Sequence, residues 1–130
     1  MIQNLNADFL KSFYERFSNG DMKGVLELCP AEISFQIPGK SKLAGKYNKE
    51  TLVPQLIGKI MELSSGTFKM EVHDIMASDL HGLVLTTDTV TLNGMKHEYR
   101  TVHVWRFQSG KPVAWYEYPR DLYQYDAVWS

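Results

Sequence analysis

One cysteine, Cys29, stands alone among 130 residues. An internal disulfide is therefore impossible, and neither a disulfide framework nor a zinc-finger spacing is available. An excess of one charge sign is also missing: 14 Lys and Arg face 15 Asp and Glu, for a formal net charge of −1. That balance argues against a dominant contact with a phosphate backbone, because nucleic-acid binders carry a basic excess or stripe. The nearest basic cluster, Lys40, Lys42 and Lys46, reads as a solvated loop. No apolar run approaches the ~20 residues needed to span a bilayer. Met1 to Leu10 lacks the basic-then-apolar order of a signal peptide. The expectation is a soluble, cytoplasmic protein with neither a nucleic-acid nor a membrane partner. There is no phosphate-cradling glycine loop, and no Gly-x-Ser-x-Gly frames a serine nucleophile. His73-Asp74 would point to opposite faces of a strand, and no His-x-His or Glu-x-x-His spacing occurs, so no dedicated metal site is expected.

What the chain does have is an ordinary globular composition, 44% hydrophobic and 22% charged, without linker, repeat or low-complexity tract. One domain over residues 1–130 is expected. Phe9, Leu10, Phe13, Tyr14 and Phe17 make an aromatic helical stripe between Ala7 and Asn19. Asn6 or Asp8 can cap its start, and Asn19-Gly20 ends it. Asp21 caps a short second helix that stops at Pro30. Ile33, Phe35 and Ile37 alternate with polar residues in a strand closed by Pro38-Gly39. A loop through Gly45 leads to Asn48, the cap of a third helix running to about Leu63. Pro54 is tolerable there only near the first turn.

After Ser64-Ser65-Gly66 the pattern becomes β-rich: Thr67 to Ser78, Gly82 to Leu92, Met95 to Gln108 and Lys111 to Tyr118. Asn93-Gly94 is a strong hairpin signal, since such tight turns need positive φ. Helices first and long hairpin-linked strands later predict an α+β fold. A long twisted antiparallel sheet curls, and three helices then fill its concave side to make a cup.

This order of elements, with Asn19-Gly20-Asp21, Pro38-Gly39 and Trp115-Tyr116-Glu117-Tyr118-Pro119-Arg120-Asp121, resembles the SnoaL-like branch of the nuclear-transport-factor-two-like superfamily. Ketosteroid isomerases, limonene-epoxide hydrolases and SnoaL-type polyketide cyclases share that fold. The resemblance covers nearly the whole chain and implies a cone-shaped α+β barrel. It places Ile37 where the isomerases carry their general base, Phe13 near their oxyanion tyrosine and His103 at their oxyanion aspartate. It places Asp88 and Val90 at the Arg-x-Asp pair of the hydrolases, and Glu117 at the carboxylate of the last strand. Ile37 cannot move a proton, so isomerisation by the usual route is not expected.

The resemblance turns the His103 face of its strand inward, with Thr101 and Trp105, and alternation places Trp115 and Glu117 together on the next strand. Glu117 and His103 are the expected catalytic pair, and indole walls would raise a carboxyl pKa towards a useful range. Tyr14, Phe17, Ile37, Asp88, Val90, Thr101, Trp105 and Trp115 are the expected ligand wall. The alternatives are a structural Glu117, a core His103 bonded to Tyr14, Tyr99 or a carbonyl, and tryptophans that serve only as core. The tail from Asp121 to Ser130 reads as a short helix or turn closing the cup, or as part of a dimer. Val102, Val104, Ala114, Tyr116 and Tyr118 would supply an apolar outer face, which the family pairs with a second copy. Two functions follow from these residues. The first is a metal- and cofactor-independent isomerase, cyclase or hydrolase of a small apolar substrate. The second is a non-catalytic ligand-binding or structural homodimer.

Overall fold

The computed structural model describes residues 4–130. Helix α1 spans Leu5–Ser18, capped by Asn4, whose side chain accepts the Ala7 N–H. The expected caps, Asn6 and Asp8, lie inside the helix instead. Asn6 is buried, and its amide donates to the carbonyls of Ser78 and Asp79, pinning α1 to a strand turn. Gly20 takes φ +73° to end this unit, and Asp21 caps α2, Met22–Glu27, by accepting the Gly24 N–H.

Strand β1, Ser34–Ile37, is followed by β2, Gly45–Asn48, paired antiparallel with it. The expected loop is thus an edge strand. Its polar sequence shows no alternation, and only its pairing with β1 makes it extended. Asn48 consequently caps no helix; its side chain closes a turn by accepting the Thr51 N–H. The third helical segment starts with a wide π-helical stretch, Leu52–Ile57, and continues as α3, Gly58–Ser64. Pro54 supplies no N–H to this stretch, and the Gly58 N–H reaches back five residues to the Val53 carbonyl. A Cβ on Gly58 would lie 2.9 Å from that same oxygen, so the close turn requires glycine.

Strands β3, Lys69–Ala77, β4, His81–Leu92, β5, Met95–Gln108, and β6, Lys111–Pro119, form the meander. Asn93-Gly94 and Ser109-Gly110 both turn with two successive positive φ angles. The sheet order is β2-β1-β6-β5-β4-β3, antiparallel except for β1 beside β6. Helix α4, Leu122–Val128, capped by Asp121, closes the chain. The result is the expected α+β cone: helices against the concave face of a curved, mostly antiparallel sheet.

Alternation sorts the sheet into two faces. Inward lie Phe35, Val84, Val90, Tyr99, Trp105 and Trp115, all buried with Leu10, Phe13 and Val25 from the helices. Outward, Val102 stands opposite Tyr118 and Val104 opposite Tyr116, with Leu83 beside them. No helix among the described residues is long and apolar enough to cross a membrane.

Candidate active site in the hollow of the cone

The concave face does not close completely. Phe13, Tyr14 and Phe17 of α1, Leu52 and Leu56 of the π-helical stretch, and the inward side chains of the sheet leave a hollow between them. The free volume inside it is about 60 Å³, several times the roughly 10–15 Å³ that one water needs. Its walls are almost wholly apolar.

Three ionisable side chains interrupt that wall. Register makes His103 on β5 and Glu117 on β6 direct cross-strand partners, and two positions away from Thr86 on β4 stands Asp88. Their exposures are 1%, 6% and 1% respectively for His103, Glu117 and Asp88. One donor atom from each lies within 4.8 Å of the other two. His103 Nε2 is 3.2 Å from Glu117 Oε2. The ring N–H direction misses that oxygen, however, so Nε2 is buried without a hydrogen-bond partner.

Hydroxyl groups surround the trio. Thr101 donates to Glu117 Oε2, and Tyr125 donates to Oε1 at 3.4 Å. Thr86 donates to Asp88 at 2.9 Å, and the Tyr99 hydroxyl, which itself accepts from Trp129 Nε1 at 3.1 Å, also faces Asp88. The Tyr14 hydroxyl is 2.5 Å from His103 Nδ1 and accepts from Trp105 Nε1 at 3.1 Å and Trp115 Nε1 at 3.4 Å. Burial, and next the nearby Glu117 charge, push the Asp88 carboxyl up to about 7, against the opposing pull of His103 and Thr86. Burial likewise drives the Tyr14, Tyr99 and Tyr125 hydroxyls well above the usual phenol range, which keeps them as neutral donors.

The structure brings Tyr14, Phe17, Ile37, Asp88, His103, Trp115 and Glu117 to the hollow. Val90, Thr101 and Trp105 point inward but lie behind its wall. Trp105 is sealed by the rings of Phe9, Phe13 and Phe35, whose centroids lie 5.7, 4.8 and 6.4 Å away. Thr101 spends its hydroxyl on Glu117, and Val90 is core. Tyr99, Tyr125 and the aliphatic side chains around Pro54 belong to the wall and were not in the expected set; strand parity would have found Tyr99, two residues before Thr101. The donor trio was likewise unforeseen as a cluster, because its members come from three strands and leave no local spacing.

The family model for the SnoaL-like domain matches residues 10–115. This chain belongs to the SnoaL-like family. The solved structure of Bal32a, from a soil-derived mobile gene cassette, is 27% identical, with a TM-score of 0.88 over 97% of both chains. A Xanthomonas campestris protein with a cystatin-like fold is 26% identical, with a TM-score of 0.84 over 96% of this chain and 98% of that one. TerC, co-crystallised with polyporic acid, shares the fold at 18% identity and a TM-score of 0.81, covering 98% of this SnoaL-like chain and 100% of its own. No curated protein matches.

Proposed function

We propose that this SnoaL-like protein binds a small apolar molecule in the hollow and transfers a proton on it, as a cofactor-independent isomerase, cyclase or hydrolase. Polyketide-, terpenoid- or steroid-like compounds are the substrate class this reading expects. The observation that carries this reading is the pair of buried carboxylates, Asp88 and Glu117, in a wall otherwise built from hydrocarbon. Burying such groups is costly unless a cation offsets them, and among the described residues no Lys or Arg lines the hollow. Glu117, cradled by two hydroxyls, serves as the acid/base; Asp88, with its raised affinity for a proton, is placed to exchange with it; His103 contacts the ligand oxygen. TerC, which shares the fold, was co-crystallised with polyporic acid, in keeping with a small-molecule ligand.

A second reading, a binding protein without turnover, is favoured by Ile37 at the position of the isomerase base. A panel of apolar ketones, epoxides and lactones separates the two. Turnover that Glu117→Gln lowers by roughly a hundredfold or more supports the acid/base role. Turnover that Glu117→Gln leaves unchanged overturns it, and saturable binding with no turnover of any panel member favours the second reading.

We also propose a homodimer through the outer sheet face, where Val102, Val104 and Tyr116 are half-buried and Leu83 and Tyr118 exposed. Sedimentation should give a dimer that Val104→Lys converts to monomer; a monomeric parent protein contradicts this. The cytoplasm, where a lone buried thiol such as Cys29 stays reduced, is the proposed location.

A further inference from the structure

This inference rests on the hollow being a ligand site and concerns what that site recognises. The starting observation is the convergence on one phenolic oxygen. Trp105 and Trp115 both donate indole N–H groups to the Tyr14 oxygen, at 3.1 and 3.4 Å. An indole nitrogen can only donate, and a phenol has two acceptor positions and one O–H. With both acceptor positions taken, what remains for His103 Nδ1, 2.5 Å away, is the Tyr14 O–H. Nδ1 must therefore accept. A neutral imidazole carries one proton, so that proton sits on Nε2, which has no hydrogen-bond partner although Glu117 Oε2 lies 3.2 Å away, off the N–H direction.

We propose that Trp105 and Trp115, acting through Tyr14, fix His103 as an Nε2–H donor, and that the hollow thereby selects ligands carrying a neutral acceptor oxygen, a ketone or similar carbonyl. The unpartnered N–H calls for an acceptor. The carboxyl groups of Asp88 and Glu117, within 4.8 Å, disfavour an anion there. An amine would find the carboxylates but leave Nε2–H unsatisfied. Trp105 does not reach the hollow at all, so its part in recognition is positional.

The same count bears on metal binding. Asp88, His103 and Glu117 are spaced so that they could hold a cation, but a metal at Nε2 would move the ring proton to Nδ1. That N–H would then point at a phenol oxygen whose lone pairs are both occupied. The relay sets the trio against metal coordination through His103.

Nitrogen-15 NMR of histidine-labelled wild-type protein reads the tautomer directly and independently of any turnover. A pyridine-type Nδ1 and a pyrrole-type Nε2 at His103 are expected, with the pattern disturbed in Tyr14→Phe; a protonated Nδ1 in the neutral ring overturns the relay. Adding Zn²⁺ should leave the Nε2–H signal in place, and its replacement by a metal-bound nitrogen signal overturns the relay as well. Fluorenone and fluorene, equal in shape and different by one acceptor oxygen, test the ligand class. The ketone is expected to bind about tenfold more tightly, the worth of one net hydrogen bond, and Tyr14→Phe should narrow that gap. Equal affinities overturn the carbonyl preference. Failure to bind either molecule also overturns it, while the NMR result still judges the relay. Loss of proton-transfer activity in Glu117→Gln bears on neither result, so the two readings fail separately.

Discussion

His103 and Glu117 face each other across neighbouring strands, with Nε2 3.2 Å from Oε2 and both side chains turned into the hollow. The pair results from one piece of register: the β5–β6 turn at Ser109-Gly110 and the irregularity between Arg106 and Phe107 set 103 against 117. A slip of one residue would send both outward and replace them with Val102 or Val104 and Tyr116 or Tyr118. The same parity places Thr101 beside Glu117 and, one strand on, Asp88 beside Tyr99. The polar trio of the cone is therefore a property of strand pairing.

The raised Asp88 pKa makes stability depend on pH in a defined direction. Burial and the Glu117 charge lift it from 3.8 to about 7 in the folded state, so the native protein holds this proton more tightly than the unfolded chain does. The stabilising contribution of the neutral carboxyl is complete below about pH 4 and is lost as pH rises through about 7. Asp88→Asn, which mimics the protonated form, should gain on wild type by on the order of a few kcal/mol between those limits. Urea titrations at a series of pH values check this; a constant difference would contradict it.

Tyr14 satisfies three buried groups at once. Tyr14→Phe leaves the indole N–H groups of Trp105 and Trp115 and the Nδ1 of His103 without a partner, while removing little volume. A loss of about 2–4 kcal/mol is expected from these orphaned groups. Thermal unfolding measures it, and an unchanged midpoint would mean that water or a rearranged side chain replaces the phenol.

Gly39 anchors the closing helix. Its φ is +91°, and a Cβ there would lie 2.2 Å from Asp126 Oδ1, the carboxylate that accepts the Lys40 N–H. Gly39→Ala combines backbone strain with loss of that contact and should cost about 1–3 kcal/mol. Because Tyr125 on the same helix lines the hollow, ligand dissociation should also quicken. Stopped-flow release of a fluorescent ligand follows this; an unchanged rate would show that the helix does not govern ligand exit.

The long strands and their turns were readable from sequence because two-residue periodicity and the Asn93-Gly94 and Ser109-Gly110 signals agree with the final pairing. Strand β2 was not, since Gly45-Lys46-Tyr47-Asn48 has neither alternation nor burial and exists only through β1. The cap of α1 was misplaced because Asn4, Asn6 and Asp8 are chemically equivalent caps, and only the tertiary bond of Asn6 to Ser78 and Asp79 decides among them. Parity and the family resemblance together made the inward placing of His103, Glu117 and Asp88 legible. The division between wall and core was hidden, because Trp105 and Trp115 share one pattern and differ only in which neighbours cover them.

The central claim, that Asp88 and Glu117 move protons on a ligand held in the hollow, is tested most directly without knowing the product. Indanone, a flat ketone with acidic hydrogens beside its carbonyl, is incubated with the protein in deuterated water, and deuterium uptake at that carbon is followed by mass spectrometry. Saturable uptake above the buffer rate, falling by roughly a hundredfold in Glu117→Gln and lowered in Asp88→Asn, is the predicted result. Uptake at the buffer rate with wild-type protein that demonstrably binds the ketone would contradict it.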